Sequence, residues 1–234
     1  MMSERLWGIV TEAFPKILEQ GLKMTIPLTV ISFSIAMVIA VATAMVQFAN
    51  VPILKQLARF YIWVVRGTPL LVQLYVVFYG LPNLGVDIPA FPSAILVFSI
   101  NEGAYCAETM RAALESVPVG QMEAGQCVGM SWMQTMWHVV LPQAFRTAFP
   151  PLSNSLISMV KDTSLAASIT VLEMFMVSQR IAGRYYAHLA LYIEVALVYL
   201  IFCTVLTKFQ GVVEKKLNSY QSRETKRKRS DALC

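Results

Sequence analysis

The chain has 234 residues and a formal net charge of +5, with 56% hydrophobic and only 14% charged residues. Its mean hydropathy is +0.58, whereas about one-quarter of the residues in a soluble domain are charged. The composition therefore excludes an ordinary soluble domain and predicts an all-α polytopic membrane protein built from spanning helices.

Residues 1–22 form the first predicted element. Charged residues such as Glu4, Arg5 and Lys16 interrupt it, so it lacks the long apolar core of a cleavable signal peptide. Its apolar residues follow one stripe at helical spacing, with Trp7 near the start. This pattern predicts an amphipathic helix that either lies in the external membrane interface or packs its stripe against the membrane bundle.

Five windows are long and apolar enough to cross a bilayer, which takes about 20 residues. They make residues 23–212 one transmembrane domain and leave residues 213–234 as a basic tail. The predicted spans are 23–46, 57–80, 93–112, 151–176 and 189–209.

Lysine and arginine are distributed unevenly between the connections. Most lie in residues 47–59, in residues 111–148 and in the tail from Lys208 onward. Because loops rich in lysine and arginine stay in the cytoplasm, these segments are predicted to be cytoplasmic and the N-terminus external. The run Lys226–Arg229 is more simply a topology signal than a site for nucleic acid or anionic lipid.

The loop between the third and fourth spans, about residues 113–148, is long enough to indicate a function of its own. Residues 121–128 are predicted to form a short helix that ends at Gly129. A capping-box pattern at residues 131–134 starts a second helix, which Pro142 is expected to stop. Residues 130–137 hold two tryptophans and three methionines, which favours docking to a partner over packing beneath the bundle.

Polar residues also occur inside the predicted spans, where ionisable groups are costly and are therefore candidate site residues. Lys161 and Asp162 fall near the middle of the fourth span. They either neutralise one another or face a polar cavity, and their residue types alone do not separate these alternatives. The third span carries Asn101 and Glu102, and Pro69 in the second frees a backbone carbonyl, as in helices that line a cavity. An ammonium donor and carboxylate acceptors together suit a zwitterionic solute, which has one group of each charge.

Five short motifs follow one another along the chain. They are Arg66-Gly67-Thr68-Pro69-Leu70, Ala104-Tyr105 with Glu108, Gly120-Gln121 before Glu123-Ala124, Leu141-Pro142-Gln143-Ala144 and Lys161-Asp162-Thr163-Ser164-Leu165. Together they resemble the membrane subunit of ATP-binding-cassette importers for polar amino acids, with cystine permeases the most similar subgroup. The resemblance extends from about Leu22 to Lys216. Gly125 departs from it, because the family usually has alanine there, so the first loop helix is expected to be less rigid.

The resemblance implies a permease subunit in a bacterial plasma (inner) membrane, which imports a polar amino acid, with cystine the leading candidate. It implies a second permease subunit, either a copy or a relative, with two ATPase subunits below and an external solute-binding protein. The expected contacts with the ATPase are at Glu123, Ala124, Gly125, Gly129, Leu141 and Pro142. The expected contacts with the amino acid are at Thr68, Gln73, Asn101, Glu102, Lys161, Asp162 and Thr163.

The chain itself is not predicted to be an enzyme. Its two histidines, His138 and His188, lack nearby acidic clusters, so neither a metal site nor a cofactor is indicated. Without a Gly-Lys dipeptide it has no phosphate-binding loop, so ATP hydrolysis would belong to a separate partner. The alternative is an ion- or proton-coupled carrier or channel for amino acids, with Glu102, Lys161 and Asp162 as a proton relay.

Overall fold

The computed structural model describes residues 2–48 and 52–231, with side chains described within residues 4–48 and 52–217. The described residues form helices and turns without a strand, which confirms the predicted all-α fold. Met1 of the predicted N-terminal segment and residues 232–234 of the basic tail lie outside the described residues. The helices are α1 (Met2–Gln20), α2 (Ile26–Phe48), α3 (Pro52–Arg66), α4 (Leu70–Tyr75), α5 (Ala90–Glu115), α6 (Val119–Cys127), α7 (Trp132–Thr135), α8 (Leu141–Asp162), α9 (Met174–Tyr185) and α10 (His188–Asp231).

The N-terminal segment and the first predicted span form one continuous helix. A π-helical turn, Gly21–Thr25, joins α1 to α2 without a break. Ala13 and Ile17 of the apolar stripe are fully buried in a cluster formed with α9 and α10. Gly21 permits this close approach, since a Cβ there would lie 2.8 Å from a ring carbon of Phe202. The stripe of α1 thus packs against the bundle, one of the two alternatives that the sequence left open.

The second predicted span, 57–80, is not a straight helix. It is divided between α3 and a helical segment Leu70–Leu84, and the two are bent by 100°. Pro69 lacks an N–H donor and disfavours the helical conformation in Thr68, so the helix stops there. The backbone N–H of Gly67 closes α3 by donating to the carbonyl of Trp63 at 3.0 Å.

The central helix of the bundle is α5. It packs most extensively along α2 and also contacts α3, α4 and α8. Small buried residues, including Ala104 and Ala107, line its contact faces. A Cβ on Gly103 would lie 2.9 Å from Ile39 of α2, so this glycine sets the spacing of the two helices.

The first loop helix, α6, ends as predicted. The Met130 N–H donates to the Gly125 carbonyl at 3.0 Å, and the Gly129 N–H closes the second hydrogen bond of a Schellman motif. Gly129 has a φ of +79°, a conformation that glycine adopts without steric penalty. The predicted capping box is also confirmed, because the side chains of Ser131 and Gln134 each accept a backbone hydrogen bond from the other residue.

Pro142 does not stop the second loop helix, so that prediction is wrong. A π-helical turn, Met136–Val140, joins α7 to α8, and the helix runs without a break over Trp132–Ile169. Leu141 donates its N–H five residues back, to the Met136 carbonyl. This wider turn changes the hydrogen-bond ladder directly before the proline, which has no N–H to contribute. The end of the long loop and α8 therefore belong to one continuous helix.

The fourth predicted span, 151–176, also differs from the structure. After Asp162 the backbone tightens into a 3-10 helix, Thr163–Ile169, and Thr170 then has a φ of +66°. Lys161 and Asp162 consequently lie at the end of α8, and their position near the middle of the fourth membrane span stays a prediction.

The number of membrane spans stays a prediction. Within the described residues, Glu4–Phe48 and His188–Leu217 are long and apolar enough to cross a membrane. The count rises to four if two bent pairs, Pro52–Arg66 with Leu70–Leu84 and Trp132–Ile169 with Met174–Tyr185, are each one span. Helix α5 has the necessary length of 26 residues but is less apolar than these.

Candidate functional site

A cavity of about 540 Å³ opens between α5 and α8, beside the break between α3 and α4. Residues with polar side chains, from α5 and α8, are the majority of those that line it. The cavity is lined by Leu70, Asn101, Glu102, Tyr105, Thr109, Pro151, Asn154, Ser155, Ser158, Asp162 and Leu165.

The charged side chains that line the cavity are Glu102 of α5 and Asp162 of α8, and no described lysine or arginine lines it. The guanidinium of Arg66 lies 5.0 Å from the ring centroid of Tyr105, but its ion-pair partner is Glu108, at 3.9 Å. Two carboxylates without a cation among the lining residues attract a positively charged group.

The two carboxylates are held differently. Glu102 accepts a weak hydrogen bond from the Cys106 thiol at 3.4 Å, and the Ser155 hydroxyl of α8 faces the same carboxylate. Asp162 lies where α8 passes into the 3-10 helix and is half-buried. Both groups therefore keep acceptor capacity for a ligand in the cavity.

Gln73 and Thr68 hold the helix break together. The Gln73 amide nitrogen donates to the Val65 carbonyl and to the Thr68 hydroxyl, both at 2.8 Å. Its amide oxygen accepts from Asn101 of α5 at 3.0 Å. Of these three predicted site residues, only Asn101 lines the cavity, and Gln73 and Thr68 instead fix the α3–α4 bend against α5.

Lys161 and Thr163 are the remaining predicted contacts, and neither lines the cavity. The Lys161 side chain is exposed and, among the described residues, it forms no ion pair with Asp162. Thr163 is fully buried and donates its hydroxyl hydrogen bond to the Val160 carbonyl at 2.7 Å. The structure brings together Asn101, Glu102 and Asp162 from the predicted set.

Sequence reasoning missed the polar face of α8. Asn154, Ser158 and Asp162 recur at intervals of four residues, with Ser155 beside them, so they share one helix face. That spacing was available in the sequence.

The long loop presents a separate surface. Glu123 and Ala124 are exposed on α6, and Pro142 is exposed at the start of α8. Three large side chains of the second loop helix are also exposed, namely Trp132, Met133 and Trp137. Such side chains are typical of the centres of protein contacts.

Gly125 has a packing role in this loop. It is buried, and a Cβ at this position would lie 2.5 Å from both Cγ2 and Oγ1 of Thr135. The glycine therefore lets α6 approach the second loop helix closely. A hydrogen bond of 3.2 Å from Gln143 to Gln121 further ties α8 to α6. This contact gives a packing reason for a glycine at position 125, and the expectation of a less rigid helix stays a prediction.

Comparison with known proteins agrees with this architecture. Residues 32–219 match the model of the family described as "Binding-protein-dependent transport system inner membrane component". The chain belongs to this family. Over 215 residues it is 46% identical to the L-cystine transport system permease protein TcyB of Bacillus subtilis (strain 168), covering 92% of each protein. It is 36% identical over 212 residues to the probable amino-acid ABC transporter permease protein YckA of the same organism, covering 91% of this chain and 93% of YckA.

A solved structure supports the same assignment. The permease superimposes with a TM-score of 0.82 and 32% sequence identity on a chain from a crystal structure described as an amino acid ABC transporter with histidines. The match covers 87% of this permease and 95% of that chain. The protein is thus an amino-acid ABC transporter permease, a transport subunit embedded in a membrane, and a homologue of cystine permeases.

Proposed function

We propose that this permease carries a polar amino acid, with cystine the leading candidate, into the cell by alternating access that a separate ATPase drives. The ATPase docks on the long loop, an external binding protein delivers the amino acid, and a second copy or a related permease completes the membrane pair. The permease lies in the plasma (inner) membrane with its N-terminus outside and its C-terminus in the cytoplasm.

The substrate class is inferred from one observation. The carboxylates of Glu102 and Asp162 line a cavity that no described lysine or arginine lines. Each carboxylate suits an ammonium group, and cystine has two of them. The side-chain amides and hydroxyls around the carboxylates provide donors for the amino acid's own carboxylates. The identity to TcyB, a cystine permease by name, supports the same substrate.

The continuous helix Trp132–Ile169 supports a mechanical route between the loop and the cavity. Trp132 lies on the exposed loop surface, and Asp162 lies in the cavity wall on the same helix. A displacement of the loop by the ATPase would therefore move this wall directly.

The function is tested by reconstituting the permease with its ATPase and binding protein in proteoliposomes and measuring uptake of labelled amino acids. Importer activity requires ATP and is abolished by vanadate or by an inactive ATPase. Uptake that survives both treatments would instead assign the permease to the carrier or channel class, in which Glu102 and Asp162 would relay protons.

The site is tested by Glu102→Gln and Asp162→Asn, each of which keeps side-chain shape and removes a charge. We expect each variant to weaken uptake at least about tenfold, equivalent to about 1.4 kcal/mol, with unchanged expression. Glu115→Gln is the matched control, because it removes a carboxylate from α5 outside the cavity. Wild-type affinity and selectivity in both cavity variants would show that the two carboxylates are structural.

A further inference from the structure

Asn154 of α8 lies between the amino-acid cavity and α10. It lines the cavity, and its side-chain amide oxygen accepts a hydrogen bond from the Gln210 amide nitrogen of α10 at 3.1 Å. Among the described residues, the amide nitrogen of Asn154 donates no hydrogen bond. An asparagine amide has one oxygen acceptor and two N–H donors, so the contact with α10 uses the oxygen and leaves both donors for the cavity.

Gln210 is not among the residues that line the cavity, and the acceptors around it fix its orientation. Its amide nitrogen lies 2.7 Å from Oε1 of Glu214 and 3.5 Å from the carbonyl oxygen of Pro150. An ionised carboxylate and a backbone carbonyl only accept hydrogen bonds, so turning the amide over would place its oxygen against both of them. Gln210 is therefore held with its donors toward Asn154.

The other end of the Gln210 amide shows that this arrangement has a cost. Its oxygen is buried and accepts no hydrogen bond from the described residues. An unpaired buried polar atom lowers stability, and an apolar side chain of similar size would avoid that loss. The glutamine is thus explained by what its nitrogen does, which is to hold the oxygen of Asn154.

The two asparagines of the cavity wall are held by opposite ends. The Asn101 nitrogen donates to Gln73 at 3.0 Å, so its oxygen is the end without a described partner. Asn154 is held by its oxygen instead and offers N–H donors. Ser155, the next residue on α8, faces the carboxylate of Glu102, so these donors lie at the height of an ammonium-binding group. A serine hydroxyl can either donate or accept, whereas an amide of fixed orientation presents donors alone.

We propose that Gln210 is a positioning residue, which fixes Asn154 so that its amide nitrogen binds the α-carboxylate of the transported amino acid. This inference rests on the proposed function, because it places an amino acid in the cavity. Glu102 binds the ammonium group on the same carbon atom. Asn154 thereby selects amino acids over amines that lack the carboxylate.

The proposal is tested by ligand binding to the full-length permease assembled with its ATPase, without the binding protein, so that the cavity alone selects the ligand. Labelled cystine is compared with labelled cystamine, which keeps both ammonium groups and lacks both carboxylates. We expect the wild type to bind cystine at least about tenfold more tightly than cystamine. Gln210→Met should lower this ratio at least about threefold, with unchanged affinity for cystamine. Gln210→Lys keeps a donor toward Asn154 and should preserve the ratio.

Asn154→Asp tests the same contact from the cavity side. It keeps an oxygen for Gln210 and replaces the N–H donors with an acceptor, so the ratio should fall at least about tenfold. Asn83→Asp is the matched control, because it adds the same charge at an exposed position outside the cavity. Thr207→Val is the control on α10, where it removes an exposed polar group that does not line the cavity. Both controls should keep the wild-type ratio.

Three results would overturn the proposal. An unchanged ratio in Gln210→Met would remove the positioning role, and an equal loss in Gln210→Met and Gln210→Lys would show that the glutamine is structural. A wild type that binds cystamine as tightly as cystine would remove the carboxylate contact. Absence of binding by both ligands would instead contradict cystine as the substrate, and the same variants then decide the positioning role with arginine and its decarboxylated form, agmatine.

Discussion

The amino-acid cavity and the long loop use polar residues in opposite ways. In the loop, polar groups close the structure on itself, as the capping box of Ser131 and Gln134 and the Gln143–Gln121 hydrogen bond do. In the cavity, Glu102 and Asp162 face open space and keep acceptor capacity. The loop is thus closely packed on itself, whereas the two cavity carboxylates have acceptor capacity that the described residues do not fully use.

The loop and the cavity wall lie on the same helix and are suited to different tasks, passing on motion and binding a solute. A surface that passes on motion has to be stiff, and a binding surface has to offer unpaired groups at a cost in stability. The continuous helix Trp132–Ile169 connects the two surfaces. Variants that soften the loop should therefore disturb transport without changing substrate affinity, and variants in the cavity wall should do the reverse.

The largest expected effect comes from Gly129→Val. Gly129 has a φ of +79°, which a β-branched residue strongly disfavours, so the Schellman motif that ends α6 should be lost. We expect ATP-driven uptake to fall by about a hundredfold, equivalent to about 2.7 kcal/mol, while detergent-purified permease stays folded. ATPase stimulation and uptake are measured together in proteoliposomes.

Gly129→Asn is the matched control, because asparagine tolerates the left-handed conformation and should keep most activity. If Gly129→Val transports like the wild type, the bend between the loop helices is not needed for coupling. Glu123→Lys provides a second comparison on the exposed face of α6, where it should weaken ATPase association without altering the bend.

The sequence was a good guide where local rules decide the structure. The end of α6 at Gly129 and the capping box at residues 131–134 follow from backbone preferences within a few residues, and both were confirmed. Asn101 and Glu102, which were singled out because polar residues inside apolar helices are costly, do line a cavity, and their contact with an amino acid stays a prediction.

The sequence was a poor guide where distant packing decides. Pro142 was expected to stop a helix, but a π-helical turn before it keeps the helix continuous. Lys161 was expected to contact the amino acid together with Asp162, but Lys161 is exposed and lies outside the cavity, just before α8 passes into a 3-10 helix. The π-helical turn and the 3-10 segment have no distinctive amino-acid composition, because each depends on which neighbours the helix packs against.

Gly125→Ala tests whether the loop's stiffness comes from close packing. The added Cβ would lie 2.5 Å from Thr135, so α6 and the second loop helix have to separate. We expect a destabilisation of about 1–3 kcal/mol, typical of overpacking, measured as a lower melting temperature of the purified permease. Uptake should fall at unchanged substrate affinity.

Gly120→Ala on the same helix is the control, because a Cβ there meets no atom within 4 Å and should be neutral or stabilising. Combining Gly125→Ala with Thr135→Ala should restore part of the lost stability, since the two side chains collide directly. A Gly125→Ala variant as stable as the wild type would mean that the loop adjusts easily, contrary to the stiffness proposed here.

Tyr199→Phe tests how the far end of the cavity helix is anchored. Beyond the 3-10 segment, the fully buried Glu173 accepts hydrogen bonds from the N–H groups of Phe175 and Met176, at 2.8 and 2.6 Å, and from the Tyr199 hydroxyl of α10 at 2.9 Å. Removing the hydroxyl leaves the two backbone bonds in place, so we expect a loss of about 1 kcal/mol. A melting temperature lowered by roughly 2–4 °C would agree with this, and an unchanged one would show that the Tyr199 hydroxyl contributes nothing to holding α9 in place.

Lys161→Met should have the smallest effect, and it separates a mutual ion pair from a binding site. Lys161 is exposed and does not line the cavity, whereas Asp162 does. Uptake by Lys161→Met should stay within about twofold of the wild type, because the variant removes no cavity contact.

Uptake by Asp162→Asn should fall at least about tenfold, and the double variant should match Asp162→Asn alone. If the two residues only neutralised one another, removing both charges would instead be tolerated better than removing one, because an uncompensated buried charge is strongly destabilising. A double variant more active than Asp162→Asn would therefore show that Asp162 balances Lys161, and the ammonium-binding role would be left to Glu102.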